Sequence, residues 1–396
     1  MTELPDSNKA ISKLKSPDGF LYAGFPKFMS LFGRDSLITS LSLMDKFPDI
    51  AISSIESLSK FQGRSYNYEI SESPGKIPHE INLDRSLLQK RSMDVPWLKY
   101  GPNYFSVDST PLYVITLITY VRQEDRILNA GITESLKKSI DFLLKSLDGM
   151  EFLGYDKSPV AMRLGSQCWR DGIGDILERM KSPVYVSGVQ GFIVEAFDLI
   201  LQSGQQTREF LGPDILNGVA DKLNLIREYF LDRFWTEETG YPALAIDGDG
   251  VACRAVTTDP LYCIGLGMMS RNSEESIVRR AMEEDILTDF GMRCLSSREK
   301  EFDPLAYQRG SVWPHDNFLV IRSLLRGGFR KEAREVAKGV INALESMNSF
   351  PEYYSVDSRG NLIPEKMLRI KPCEPQAWSV GTYVFISETF PELLSP

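Results

Sequence analysis

The chain has 396 residues, of which 42% are hydrophobic, and its formal net charge is -9. This length is sufficient for an ample core in one or two domains. An acidic balance without any Lys- or Arg-rich run argues against a surface for nucleic acids or for an anionic membrane. No stretch approaches the roughly 18 apolar residues of a membrane span, and residues 1–20 contain no apolar core of a signal peptide. We therefore expect a cytoplasmic protein with no membrane partner.

The predicted elements, taken in chain order, are almost all helices. They come in pairs in which the first helix is apolar nearly all round and the second is amphipathic. The predicted pairs are 36–47 with 50–61, 110–121 with 134–147, 189–201 with 215–235, 261–269 with 274–284 and 318–325 with 331–347, followed by a single helix over 376–393. An all-apolar helix is enclosed, whereas an amphipathic one faces water on one side. The alternation predicts an all-α fold, an inner ring of helices wrapped by an outer ring, with six hairpins in all.

The domain organisation follows from the lack of any linker or low-complexity tract. We expect one catalytic domain over residues 21–396, preceded by an N-terminal extension of residues 1–20. Two long insertions, 63–104 and 240–259, are rich in Gly, Pro and Asp. Long loops beside a rigid scaffold usually shape a site.

Cysteine and histidine contents argue against a metal centre or a disulfide framework. The five cysteines are odd in number, widely spaced and without a C-x-x-C pair. The only histidines are His79 and His315, too few for a three-histidine centre. We therefore expect neither a cofactor nor a catalytic metal.

Short polar motifs stand just before most of the predicted apolar helices. They are FGRDS (32–36), GKIPHE (75–80), SVDST (106–110), QCWRD (167–171), GSVWPHDN (310–317), PEYY (351–354) and CEPQAWS (373–379). In a ring of hairpins, the loops that carry such motifs can converge on one pocket. A pocket of carboxylates and aromatic rings suits a sugar, because aromatic faces stack on sugar rings.

Several of these motifs carry a family resemblance. FGRDS resembles the Arg-Asp-Ser/Thr motif of glucoamylases and of the amylo-α-1,6-glucosidase domain of glycogen debranching enzymes. SVDST, YQRGSVWP (307–314) and PCEPQAWS (372–379) resemble later motifs of that second group, in the same order along residues 24–380. The resemblance implies an (α/α)6 barrel that hydrolyses an α-glucosidic bond with inversion, using two carboxyl groups as acid and base.

The resemblance assigns the general acid to Asp171 and the general base to Glu352. Such carboxyls lie roughly 6.5–9.5 Å apart in inverting enzymes. Trp169 would supply an apolar wall that helps to keep the acid protonated. Asp175 remains an alternative acid and Glu374 an alternative base. Each assigned carboxyl also has a purely structural alternative, such as a helix cap or a surface position.

Arg34 and Asp35 resemble the pair that holds the hydroxyls of the terminal sugar. A guanidinium beside a carboxylate can bind two adjacent hydroxyls at once, although an internal salt bridge is the alternative. The other candidate substrate contacts lie in the same motifs: His79, Glu80, Asp108, Trp169, Trp313, His315, Asp316 and Trp378. Asp108 has the alternative role of a helix cap, and the histidines that of buried groups bonded to carboxylates.

Two departures from the debranching relatives bear on the substrate. Only about 20 residues precede the region of resemblance, where those relatives have a large domain, and His315 stands where they often have an aromatic or apolar residue. We therefore expect a carbohydrate substrate that is an oligosaccharide or a small glycoside. The alternatives are a sugar epimerase or lyase on the same barrel, and a non-catalytic glycan-binding protein.

Overall fold

The computed structural model describes residues 6–82, 84, 86, 101–124, 129–157 and 166–394. Its α-helices are α1 (Ser7–Leu14), α2 (Gly33–Leu43), α3 (Pro48–Lys60), α4 (Ser109–Glu124), α5 (Ala130–Ser146), α6 (Ser187–Leu201), α7 (Gln205–Leu211), α8 (Pro213–Phe234), α9 (Arg271–Ala281), α10 (Pro314–Arg326), α11 (Arg330–Met347) and α12 (Ala377–Thr389). Short 3-10 helices cover Ile176–Arg179, Asp259–Cys263, Glu365–Met367 and Pro391–Leu393. Among the described residues, none of the helices is both long and apolar enough to cross a membrane.

Five α-helices and one 3-10 helix form a closed inner ring. Helix α2 packs on α4, α4 on α6, α6 on the 3-10 helix Asp259–Cys263, that helix on α10, α10 on α12, and α12 on α2. At the last contact a Cβ on Gly381 would lie 2.0 Å from Ser42 Oγ, so a glycine is needed for the close approach. The ring confirms the predicted (α/α)6 barrel.

The outer helices cover this ring from outside. Helices α3, α5, α8 and α11 pack on α2, α4, α6 and α10, and α1 packs on α12. Helix α1 is therefore the outer member of the sixth pair, which the predicted pairs lacked. It lies within the residues assigned from the sequence to an N-terminal extension.

The prediction of one inner helix is wrong. In place of a helix over 261–269, the structure has the 3-10 helix Asp259–Cys263. Gly265 and Gly267 follow it with φ of +75° and +67°, a left-handed conformation that cannot continue a helix. A Cβ on Gly265 would lie 2.8 Å from the Gly327 nitrogen at the end of α10. The close packing of these two chain segments explains why the helix ends early.

Short antiparallel strands gather at the N-terminal end of the inner helices. The strands are β1 (Leu31–Phe32), β2 (Glu80–Asn82), β3 (Gly101–Asn103), β4 (Tyr185–Val186), β5 (Trp235–Thr236), β6 (Tyr241–Pro242), β7 (Ala245–Ile246), β8 (Ala252–Cys253), β9 (Leu287–Thr288), β10 (Gly291–Met292), β11 (Ser311–Val312) and β12 (Tyr354–Ser355). They pair as β1-β2-β3, β4-β7-β8, β5-β6, β9-β10 and β11-β12. Strands β1, β4 and β11 run directly into α2, α6 and α10, so this pairing holds the start of each of these inner helices in place.

Farther along the inner helices, a buried ion cluster joins α6 to α10. Arg322 and Arg326 each donate to Glu195 Oε2 at 2.8 Å. Burial alone raises the pKa of Glu195, but the two guanidinium charges outweigh it and lower the pKa to about 2. Arg326 also donates to the carbonyls of Tyr262 and Ile264, which ties the cluster to the neighbouring 3-10 segment.

Candidate active site

The predicted site residues lie at the N-terminal end of the inner ring. Arg34 and Asp35 occupy the first turn of α2, Asp108 directly precedes α4, and Trp378 is in the first turn of α12. The start of α2 is held tightly, because a Cβ on Gly33 would lie 2.2 Å from the carbonyl oxygen of Pro78. These three motifs therefore converge because each lies where an inner helix begins, whereas Asp171 and Glu352 come from loops between helices.

Arg34 connects two of the predicted carboxylates. Its Nε donates to Asp108 Oδ2 at 2.8 Å, and its Nη1 donates to Asp171 Oδ2 at 3.0 Å. The other oxygen of Asp108 accepts from the Ser106 hydroxyl at 2.6 Å. Asp108 is fully buried, and its bond with Arg34 holds the guanidinium beside Asp171.

Asp171 is the more open of the two assigned catalytic carboxyls, with a side chain that is 25% exposed. Burial raises its pKa, and the positive charge of Arg34 partly offsets this effect. The alternative acid, Asp175, is buried and caps the 3-10 helix Ile176–Arg179 by accepting from the Leu177 N–H at 2.9 Å. Its other oxygen lies 3.6 Å from Arg170. Asp171 is thus the more exposed of the two alternative acids.

Glu352 is 2% exposed, and each of its carboxyl oxygens accepts one hydrogen bond. The Tyr307 hydroxyl donates to Oε1, and the Cys373 N–H donates to Oε2 at 2.9 Å. Burial raises the pKa of Glu352 to about 7, although these two donors and the charge of Lys27 act in the opposite direction. The alternative base, Glu374, is exposed.

Asp35 lies close enough to Asp171 and Glu352 for their charges to affect its pKa. Its pKa is raised to about 8, first by burial, with Arg34 opposing and with Asp171 and Glu352 adding to the rise. The amide of Gln376 donates to Asp35 Oδ1 at 3.4 Å. Asp35, Asp171 and Glu352 therefore form one group of interacting charges around Arg34, an arrangement that can bind hydroxyls and move protons.

Aromatic side chains form one wall of the site. Trp313 stacks on Tyr353 with ring centroids 5.0 Å apart and meets Trp169 edge-on at 5.8 Å. His315 packs against Trp378 at 4.2 Å. The indole of Trp378 also donates to the backbone oxygen of Glu352 at 3.0 Å, so the wall is tied to the candidate base.

The two histidines differ in their surroundings. His315 is 1% exposed, and burial together with the charges of Arg34 and Arg170 lowers its pKa well below the usual range, so the ring is neutral near pH 7. His79 lies beside β2, where its ring meets Phe32 edge-on at 5.8 Å and its carbonyl accepts from the Gly33 N–H. Its neighbour Glu80 is buried in β2 opposite Phe32.

Asp316, which the sequence predicts as a substrate contact, is bonded to the neighbouring 3-10 segment. It is fully buried and accepts from the hydroxyls of Thr258 at 2.8 Å and Tyr262 at 2.5 Å. These bonds join α10 to the 3-10 helix of the inner ring. Asp316 lies next to His315 in sequence, but consecutive helical residues point about 100° apart around the helix axis.

Three residues that contact the candidate site were not predicted from the sequence: Tyr307, Gln308 and Gln376. All three lie within the motifs YQRGSVWP and CEPQAWS, so a polar side chain inside a motif was the available signal. Within the described ranges, no three His, Cys, Asp or Glu side chains are grouped to hold a metal ion.

Comparison with known proteins supports the fold. A family model described as the mannosylglycerate hydrolase MGH1-like glycoside hydrolase domain matches residues 212–360, which include Tyr307 and Glu352. The fold resembles that of a GH63 mannosylglycerate hydrolase from Thermus thermophilus in complex with Tris, with a TM-score of 0.72 and 13% identity, covering 96% of this chain and 98% of that one. The resemblance to six-hairpin glycoside hydrolases is confirmed.

Two further solved structures have the same fold at similarly low identity. A glycosidase variant in complex with glucose gives a TM-score of 0.68 at 13% identity, covering 98% of this chain and 96% of that one. The Thermus thermophilus enzyme with Tris and D-glycerate gives 0.65 at 12%, covering 96% and 98%. No curated protein sequence matches the chain significantly.

Proposed function

We propose that this chain is a GH63-type glycoside hydrolase that cleaves an α-glucosidic bond in a small glycoside with inversion at the anomeric carbon. The observation that carries the proposal is that Asp171 and Glu352 lie close enough for their charges to interact, at one end of an (α/α)6 barrel. Arg34 contacts the first carboxyl, and Tyr307 donates to the second. Two carboxyls in different surroundings are what inverting hydrolysis requires.

The hydrogen bonds support Glu352 as the base and Asp171 as the acid. Both oxygens of Glu352 accept bonds, which stabilises the ionised form that removes a proton from the attacking water. Asp171 is more open, and the leaving group must depart towards solvent. Asp171 gives its proton to the glycosidic oxygen as that bond breaks. A bound sugar would displace water from Asp171 and strengthen the burial effect that raises its pKa.

The surroundings of Asp171 favour a small glycoside with an anionic leaving group. Arg309 and Arg369 both contact Asp303, at 3.1 and 2.7 Å, so two positive charges share one carboxylate. The two arginines line a cavity of about 90 Å³ together with Tyr307 and the residues that follow Asp171. The related enzyme is named for mannosylglycerate, and one of its structures contains D-glycerate. A hexosyl glycerate is therefore our first candidate substrate.

The test is a panel of purified glycosides. It comprises glucosylglycerate, mannosylglycerate, maltose, isomaltose, trehalose and glycogen, and proton NMR of the fresh product gives its anomer. We expect release of the β-anomer from an α-linked small glycoside, faster than from glycogen. Release of the α-anomer would contradict an inverting mechanism.

Variants of the two carboxyls test their roles. Asp171→Asn and Glu352→Gln should each lower kcat by at least about a hundredfold, with melting temperatures close to that of the wild type. The exposed Glu374→Gln is the matched control and should turn over normally. Near-normal turnover in either site variant would remove that residue from its role.

The alternative functions make different predictions for Glu352→Gln. A glycan-binding protein would show no turnover in the wild type and unchanged ligand affinity in the variant. A histidine-dependent epimerase is disfavoured, because the neutral, buried His315 is a weak base near pH 7.

A further inference from the structure

We propose that Gln308 is a positioning residue that sets the place of the general acid. This inference rests on the proposed function, in which Asp171 is that acid. Gln308 lies in the segment before β11 and is 3% exposed, and its side-chain hydrogen bonds go to the backbone of the segment that carries Asp171.

Gln308 binds the backbone on both sides of Asp171. Its Nε2 donates to the carbonyl of Trp169 at 2.5 Å, and its Oε1 accepts from the Gly172 N–H at 2.7 Å. Its own carbonyl accepts from Arg170 Nη1 at 3.3 Å. One residue therefore holds the segment 169–172 at three points, and the acid is in the middle of that segment.

The glycine after the acid is part of this arrangement. A Cβ on Gly172 would lie 2.6 Å from Gln308 Oε1 and 2.6 Å from the ring of Tyr307. Any larger residue would push the segment away from Gln308. The backbone can approach the amide this closely only because residue 172 has no side chain.

The residue beside Gln308 holds the base. The Tyr307 hydroxyl donates to Glu352, so two consecutive side chains bind the acid segment and the base. The distance between the two carboxyls decides whether a water fits between base and sugar, and hence the stereochemical outcome. Residues 307 and 308 fix that distance through a single peptide unit.

A purely structural role for Gln308 makes a different prediction. Arg170 also anchors the segment, because its Nε donates to Asp259 Oδ2 at 2.8 Å and its Nη2 donates to the carbonyl of Cys294. If Gln308 only adds stability, its loss should affect all substrates alike. If it positions the acid, its loss should matter most where the leaving group needs a proton.

The experiment compares Gln308→Met with wild type on two substrates of the same hexose. One is an α-linked glycerate or alkyl glycoside, whose leaving oxygen needs protonation, and the other is the α-glycosyl fluoride, whose leaving group needs little. We expect kcat to fall about a hundredfold on the glycoside, in line with the cost of a misplaced acid, and less than about tenfold on the fluoride, with KM little changed. Gln308→Glu keeps the acceptor for the Gly172 N–H and should retain more activity on the glycoside.

Gln190→Met is the matched control. Gln190 is fully buried, accepts from the Leu153 N–H at 3.0 Å and donates to the Leu153 carbonyl at 2.8 Å. It makes the same kind of backbone bonds at a place without acid or base. This variant should melt at a lower temperature and leave the ratio of the two rates unchanged.

Equal losses on both substrates, or no loss, would overturn the role of Gln308 while leaving the proposed function intact. A wild-type protein that hydrolyses neither substrate would instead overturn the proposed function, and this inference with it.

Discussion

Removing the Tyr307 hydroxyl should make the candidate base harder to ionise. This hydroxyl donates to Glu352 and is one of the groups that hold its pKa down to about 7 against the effect of burial. A hydrogen bond to a charged group contributes about 1.5 to 3 kcal/mol, and one pKa unit corresponds to about 1.36 kcal/mol. Tyr307→Phe should therefore raise the pKa of Glu352 by about one to two units.

The kinetic consequence depends on pH in a defined direction. Only the ionised form of Glu352 can take a proton from water, so the variant loses activity where Glu352 is protonated. Below about pH 6, kcat/KM should be roughly 10- to 100-fold lower than in wild type, and the two should approach each other above about pH 9. The assay is kcat/KM on one glycoside from about pH 5 to about pH 10.

Tyr354→Phe is the control for this prediction. The Tyr354 hydroxyl donates to the carbonyl of Phe290 at 2.8 Å, so the variant removes a buried hydroxyl from the same PEYY segment without touching Glu352. It should show no change in the shape of the pH profile. A loss in Tyr307→Phe that is the same at every pH would refute the reasoning, and would assign Tyr307 a packing role against Trp313, 4.8 Å away.

Three further predictions concern the site and the ion cluster. Measured above about pH 8, where Asp35 is ionised, Asp35→Asn should lower kcat/KM about ten- to a hundredfold if Asp35 holds the sugar's hydroxyls. Because folding raises the pKa of Asp35 to about 8, wild type should lose stability relative to this variant as the pH rises from about 4 to about 8. A variant that melts at a lower temperature at all pH values but turns over normally would disprove the sugar-binding role of Asp35. Glu195→Gln leaves Arg322 and Arg326, whose side chains are 25% and 22% exposed, without their carboxylate and should cost about 1–3 kcal/mol in urea unfolding; a loss below about 1 kcal/mol would mean that the ion cluster does not stabilise the barrel. Exhaustive chelation should leave turnover unchanged, since the described residues group no metal ligands; a rate restored by an added metal ion would contradict this.

The ring architecture could be predicted from the sequence because it depends on local patterns. An inner helix is enclosed on all sides and is therefore apolar all round, whereas an outer helix is enclosed on one side and is amphipathic. Either pattern can be recognised within a single helix. Helix α1 was not predicted because it has only eight residues and its partner, α12, lies at the other end of the chain. The short length of the 3-10 helix Asp259–Cys263 was not predicted because packing against the end of α10 limits it.

The sequence also narrowed the site to a few carboxyls, but only the tertiary structure separated them. Asp171 and Asp175 are four residues apart and chemically identical, yet one is paired with Arg34 and the other caps a 3-10 helix. Glu352 is buried, whereas Glu374 is exposed. The burial of a carboxyl and its partners far away in sequence cannot be recognised from the residues next to it.

The contacts of Tyr307 and Gln308 show the same limit most clearly. Tyr307 meets Glu352 across 45 residues of chain, and Gln308 meets Trp169 across 139. Their motif marks them as polar residues in a loop before a helix, which is a local property. Which oxygen a phenol or an amide reaches depends on how the barrel closes, and this closure is decided by the packing of all six hairpins together.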